Sequence, residues 1–207
     1  MNTILIIIIA LNAIVSFKGF KDVDFFRKFE FHIGSIRSGE QYRMFSSAFL
    51  HADLGHLAFN MLSLYFFAPV VINYFGEISF VLVYLFSLAF GSLLTLYFHK
   101  NDYNYRAIGA SGAVMGVLYS AILIDPDMSI NFIPGYIFGI GYLLYSIYGM
   151  KAKNDNIGHT AHFGGAVGGY TITLIKDPSM ISNNTWLVVL LLVPIIILFV
   201  MEKFKKI

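Results

Sequence analysis

Seven apolar stretches follow one another along the chain, near residues 3–17, 54–73, 79–98, 108–124, 131–149, 158–175 and 186–201. Each approaches the roughly 20 residues an α-helix needs to cross the hydrocarbon of a bilayer, the first and last being on the short side. The composition agrees: of 207 residues, 57% are hydrophobic and 13% charged, where soluble domains carry about 25% charged residues. The expected fold is therefore all-α, a polytopic membrane helical bundle with little room for a separate soluble domain. The first stretch, "MNTILIIIIALNAIVSF", has a signal-peptide length but no Lys or Arg before its apolar run, so it is read as an uncleaved span. With no cysteine in the chain, disulfides, thiol catalysis and cysteine-rich metal sites drop out. A net charge of +2 gives no reason to expect nucleic acid.

Most connections between spans are short. The exception runs from Lys18 to about Phe49 and mixes aromatics (Phe20, Phe25, Phe26, Phe29, Phe31, Tyr42) with Arg27, Lys28, Arg37 and Arg43. Rings that tolerate water at one end favour the headgroup region. This first loop, taken as 18–50, is expected to lie in the interface and to be partly helical.

An ionisable side chain in hydrocarbon is costly and usually marks function. The third, fourth and fifth spans carry no Asp, Glu, Lys or Arg between their ends, which weakens a pump or ion-transporter reading. The notable polar groups at or inside span boundaries are His51, Asp53, His56, Asn60, Ser111, His159 and His162. In "HADLGHLAFNM", His56 and Asn60 stand one helical turn apart on one face. No metal site is expected, because HExxH is absent and Asn is a poor zinc ligand. Alone, this segment reads as helix-to-helix hydrogen bonding.

Two further segments are built from small residues. "GASGAVMG" spaces Gly112 and Gly116 four apart, and "AHFGGAVGGY" repeats that spacing at Gly164/Gly168 and Gly165/Gly169. Small faces let membrane helices approach closely. Each of these faces also carries one reactive group, Ser111 or His162. If the faces meet, the hydroxyl and the imidazole come within the reach an activated nucleophile requires. Asn60, His56 and the Ser111 backbone N–H would then be donors to an oxyanion. Asp53, Asp102 and Asp155 lie at span edges and read as cap or loop residues, which leaves a Ser-His dyad.

In that order, on the second, fourth and sixth spans, "HADLGHLAFNM", "GASGAVMG" and "AHFGGAVGG" resemble the rhomboid family of intramembrane serine proteases over about residues 40–170. The resemblance implies a six-helix catalytic core reached by water from one side of the membrane, and hydrolysis of a peptide bond in or near a substrate's transmembrane segment. It places the nucleophile on Ser111, the base on His162, the oxyanion pair on His56 and Asn60, and a supporting histidine on His51. Gly109, Gly112, Gly165 and Gly169 match the close-packing positions. The core is then taken as 1–178, with 179–207 an added C-terminal span and basic tail. No cofactor is implied. The partners implied are single-span membrane proteins and the lipid bilayer, with neither metal nor nucleic acid.

This chain departs from the family pattern twice. Tyr42-Arg43 in "QYRMF" replaces a Trp-Arg pair, and Met115 stands where an aromatic ring packs beside the histidine. Methionine sulfur makes favourable contacts with rings. His159, three residues before His162, reads as a loop-end hydrogen-bonding residue. Family topology puts thirteen of the fourteen Lys and Arg outside and Lys176 alone inside, the reverse of the positive-inside preference. The alternative function on the same scaffold is a catalytically silent chaperone or substrate-binding protein. The short loops point to a bacterial inner (plasma) membrane.

Overall fold

The computed structural model describes residues 2–130, 132–152 and 157–204. Its elements in chain order begin with α1 (Thr3–Lys21), α2 (Val23–Phe29), β1 (Phe31–His32), α3 (Ile33–Arg37), α4 (Arg43–Ser46) and a 3₁₀ turn at Ser47–Phe49. Next come α5 (Leu54–Phe75), α6 (Glu77–Phe98), β2 (Arg106–Ala107), α7 (Ser111–Ile124), β3 (Ser129–Ile130) and β4 (Ile133–Pro134). The chain finishes with α8 (Gly135–Ala152), α9 (His159–Lys176), α10 (Met180–Asn183) and α11 (Thr185–Lys203). The long helices α1, α5, α6, α7, α8, α9 and α11 form the all-α membrane bundle expected from hydropathy, six in the core and one added at the C-terminal side.

Helix ends follow local chemistry. Asn2 caps α1 by accepting from the Ile4 N–H at 3.0 Å, and Asp53 caps α5 by accepting from the His56 N–H at 2.8 Å. Each satisfies a donor that the first turn leaves open. Only Gly76, at φ +83°, separates α5 from α6. A side chain would be strained there, so glycine permits this tight antiparallel reversal.

The bundle has an inside and a lipid face. Among the described residues, four helices (α1, α5, α6 and α11) are long and apolar enough to cross a membrane by length and composition. They turn residues such as Ile7, Leu62, Phe66, Ile78 and Ile196 outward. α7 is different: its 14 residues reach only about 21 Å, short of a hydrocarbon core of about 30 Å, and residues 112–123 are all buried. The centre of the molecule is thus a short helix enclosed by the others. Its first turn begins within the protein, not at its surface.

Glycine sets the spacing around it. α9 packs most extensively on α6 and α7, and its two glycine pairs divide that work. A Cβ on Gly164 would come 2.6 Å from the Phe90 carbonyl oxygen and one on Gly168 2.9 Å from Ser87 Cα, so this pair faces α6. A Cβ on Gly165 or Gly169 would collide with the carbonyl oxygens of Gly112 and Gly116, so that pair faces α7. α11 lays Leu187, Leu191, Ile195 and Leu198 against an apolar cluster that includes Leu143 and Ile147 of α8 and Tyr170 of α9. The Tyr170 hydroxyl donates to the Val188 carbonyl at 3.0 Å.

The first loop is partly helical, as expected, and also has a small core of its own made by Phe31, Ile33 and Ile36. It starts later than the hydropathy suggested, because Lys18 and Lys21 belong to the last turn of α1. β1 pairs antiparallel with β2, His32 opposite Arg106 and Phe31 opposite Ala107. Buried Glu30 forms ion pairs with Arg27 and Arg106. The loop is thereby fastened to the segment that leads into Ser111.

Candidate active site

Ser111 is the first residue of α7, and a buried glycine surface brings it against α9. The Ala161 carbonyl of α9 lies in a slot between Gly91 of α6 and Gly112 of α7, where added Cβ atoms would approach to 2.8 and 3.1 Å. At this separation His162 Nε2 stands 2.6 Å from Ser111 Oγ. The backbone just before the serine needs glycine, since Gly109 has φ +114°. Its N–H donates to the Ser47 carbonyl at 3.0 Å, and a Cβ there would press on His56 Nε2 at 2.8 Å.

A cavity of about 730 Å³ opens beside the pair. His56, Phe59, Asn60, Ser63 and Phe67 line it from α5, Met115 and Leu118 from α7, and Phe138 and Tyr142 from α8. Ser111 and His162 form part of the same wall. His56 Nδ1 accepts the Ala52 N–H at 3.4 Å, which leaves the ring proton on Nε2 as a donor. Asn60 Nδ2 donates one hydrogen to the His56 carbonyl at 3.1 Å, and an amide has a second to give. The Ala110 cap offers no side-chain acceptor, and the first N–H groups of a helix lack intrahelical partners. The site therefore combines a hydroxyl, an imidazole, two side-chain donors and the positive end of a helix.

His51 does not line this cavity. It is fully buried and bridges two elements: Nδ1 donates to Ser16 Oγ of α1 at 2.8 Å, and Nε2 accepts the Ala110 N–H at 3.4 Å. Ser16 Oγ in turn donates to the Phe49 carbonyl at 3.0 Å. Arg43 is remote as well. Its Nη1 donates to the carbonyls of Arg27 at 2.6 Å and Glu30 at 3.1 Å, and Nε pairs with Glu40 at 2.5 Å. His51 thus ties α1 to the residue before Ser111, while Arg43 braces the first loop. Met115 is buried and lines the cavity. Asp53 caps α5, Asp102 accepts from the Asn104 N–H at 3.2 Å in a loop, and Asp155 lies outside the described residues.

Two further side chains stand beside His162, one on α9 and one on α8. His159 stands at the loop end, as the first residue of α9, and is 4% exposed. It packs in the α8–α9 contact over Gly149, where a Cβ would collide with its ring. Tyr142 was not singled out at all, yet its hydroxyl lies 2.9 Å from His162 Nδ1. In a tyrosine-rich apolar helix nothing local distinguishes it. The only signal was the vacancy implied by Met115, the missing ring beside the histidine.

Comparison with known proteins bears on the same residues. A family profile described as the Rhomboid domain matches residues 38–178. The chain is 28% identical over 158 residues to RHOMBOID-like protein 12, mitochondrial, of Arabidopsis thaliana, covering 67% of this chain and 47% of that protein. It is 31% identical over 148 residues to the putative rhomboid protease YdcA of Bacillus subtilis, covering 68% and 69%. With the rhomboid protease GluP of the same organism it shares 30% over 135 residues, 65% of this chain and 26% of the relative. The chain thus spans less than half of two of these three relatives. The matched segment runs from the first loop to the end of α9 and contains every residue of the cavity wall, and on that ground the chain belongs to the rhomboid family of multi-pass membrane proteins.

Proposed function

We propose that the protein is an intramembrane serine endopeptidase that cuts single-span membrane proteins in or near their transmembrane segment. The observation that carries this reading is the 2.6 Å approach of Ser111 Oγ to His162 Nε2 on the wall of a largely apolar cavity. His162 Nε2 takes the serine proton as Oγ attacks the scissile carbonyl carbon. The new oxyanion is met by N–H groups at the start of α7 and by His56 Nε2 and Asn60 Nδ2. The C–N bond then breaks, with His162 returning the proton to the amine, and the acyl group stays on Ser111. Water entering the cavity gives its proton to His162 and its oxygen to the acyl carbon, which releases a carboxylate and restores the serine.

The surroundings suit such a substrate. Phe59, Phe67, Met115, Leu118 and Phe138 offer an apolar channel for a lipid-embedded segment, while Ser111 begins a helix that starts inside the protein. A helical peptide bond has its carbonyl already engaged, so the substrate must unwind locally. Gly or Pro near the cut lowers that cost. The Bacillus subtilis relatives support a bacterial plasma membrane as the location, within a family whose other members here carry mitochondrial names.

The test is fluorescent fluorophosphonate labelling of the purified protein, together with cleavage of a model single-span substrate. Ser111→Ala and His162→Ala variants of equal thermal stability serve as controls. Both signals should fall by at least about 10³-fold in either variant. Wild-type signals equal to those of Ser111→Ala in both assays would favour a silent scaffold instead.

A further inference from the structure

The α8–α9 contact is laid out as a ladder of rings. Phe138, Tyr142 and Tyr145 fall on one stripe of α8, with Phe138 stacked on Tyr142 at 6.1 Å and Tyr145 edge-on to it at 6.3 Å. Across from them, His159 and His162 stand one turn apart on α9. Tyr145 meets His159 edge-on at 5.3 Å, and Tyr142 meets His162 at 5.8 Å with its hydroxyl 2.9 Å from Nδ1. Gly149, one turn beyond Tyr145, leaves the space that the His159 ring fills. The two helices are held in register by the same side chains that surround the base.

We infer that Tyr142 is the positioning residue of His162, fixing both the tautomer and the direction of its ring. This rests on the serine-protease reading above. For Nε2 to accept the Ser111 proton, the ring's own proton must sit on Nδ1. That N–H, on a histidine only 7% exposed, needs an acceptor, and the Tyr142 phenolic oxygen lies 2.9 Å away. When Nε2 receives the serine proton, the Nδ1–H bond to Tyr142 persists and keeps the imidazolium aimed at the leaving amine. A neutral oxygen orients the ring without adding a buried charge, which suits a site in hydrocarbon. The ring of Tyr142 also packs tilted against that of His162, centroids 5.8 Å apart. Because Tyr142 belongs to α8, the alignment of the base depends on how α8 sits against α9.

The test compares Tyr142→Phe, which keeps the ring and removes the oxygen, with Tyr148→Phe, which removes a hydroxyl from the exposed side of the same helix. On the model single-span substrate, Tyr142→Phe should lower kcat about tenfold and leave KM within about twofold, the signature of an interaction used in the transition state. Tyr148→Phe should leave both unchanged. In protein labelled with ¹⁵N-histidine, the Nδ1 proton of His162 should give a downfield, slowly exchanging resonance that is lost in Tyr142→Phe. Unchanged kcat, or a raised KM at constant kcat, would overturn the inference. So would a His162 Nδ1 proton in wild type that exchanges freely with water, a readout that needs no variant. Wild-type activity equal to that of Ser111→Ala would instead overturn the protease reading, and this inference with it.

Discussion

A methyl group on residue 165 would occupy the space of the Gly112 carbonyl oxygen, whereas one on Gly141 would meet nothing within 4 Å. The two glycines therefore make a sharp comparison. Gly165→Ala should cost about 1–3 kcal/mol through overpacking and move His162 away from Ser111, lowering both the melting temperature in detergent and fluorophosphonate labelling. Gly141→Ala should stabilise by about 0.5–1 kcal/mol, because alanine loses less backbone freedom in a helix. Equal melting temperatures for the two variants would sink the claim that α9 is seated on bare backbone. The GxxxG spacing was legible from sequence, since spacing is a property of one chain segment. Which neighbour each pair faces was not, because the rotation of α9 is decided by everything packed around it.

α1 offers a comparable case at the level of an element. By hydropathy it is one more apolar span, yet it buries Asn12 and Ser16, and Ser16 accepts the Nδ1 proton of His51. That bond sets the tautomer which lets His51 Nε2 accept the Ala110 N–H, one residue before Ser111. Ser16→Ala should cost about 1 kcal/mol and reduce the labelling rate, although Ser16 is outside the cavity wall. Hydrogen exchange at the Ala110 amide should rise in the same variant. Labelling and exchange both unchanged would mean that α1 contributes apolar packing alone. α7 was legible as apolar but three residues too long at its start. Residues 108–110 lie ahead of the helix, with Gly109 at positive φ, and hydropathy has no way to separate an apolar lead-in from an apolar helix.

Across the whole molecule, the first loop and the active-site segment are joined by Glu30, whose carboxylate meets Arg27 and Arg106. Glu30→Ala would strand both cations. The cost should be about 1–2 kcal/mol, below that of breaking a fully buried pair, because the two arginines are 59% and 42% exposed. Proteolysis within residues 30–40 should quicken. His32, paired with Arg106 across the β1–β2 ladder, adds a pH dependence. Burial, and secondarily the Arg106 charge, lower its pKa from the usual 6.5, so the unfolded loop binds a proton more readily than the folded one. The loop should then lose stability as the pH falls from about 6.5 toward the folded-state value, read as faster hydrogen exchange at residues 31–38. Exchange that is flat across this range, or slower on acidification, would refute that coupling.

By itself, the sequence determined that this protein is a membrane bundle and singled out the groups on which the proposed chemistry rests. Hydropathy is local along the chain, and so are the glycine spacing and the scarce histidines by which Ser111, His162, His56 and Asn60 stand out. Tertiary structure alone decided that α7 is enclosed, that His159 is packed over Gly149, and that Tyr142 of α8 meets the ring nitrogen opposite Ser111. These pairings depend on the depth and rotation of each helix in the bilayer. Both are set by the summed packing of all the helices, where glycine lets backbones touch and the longer side chains fill what remains.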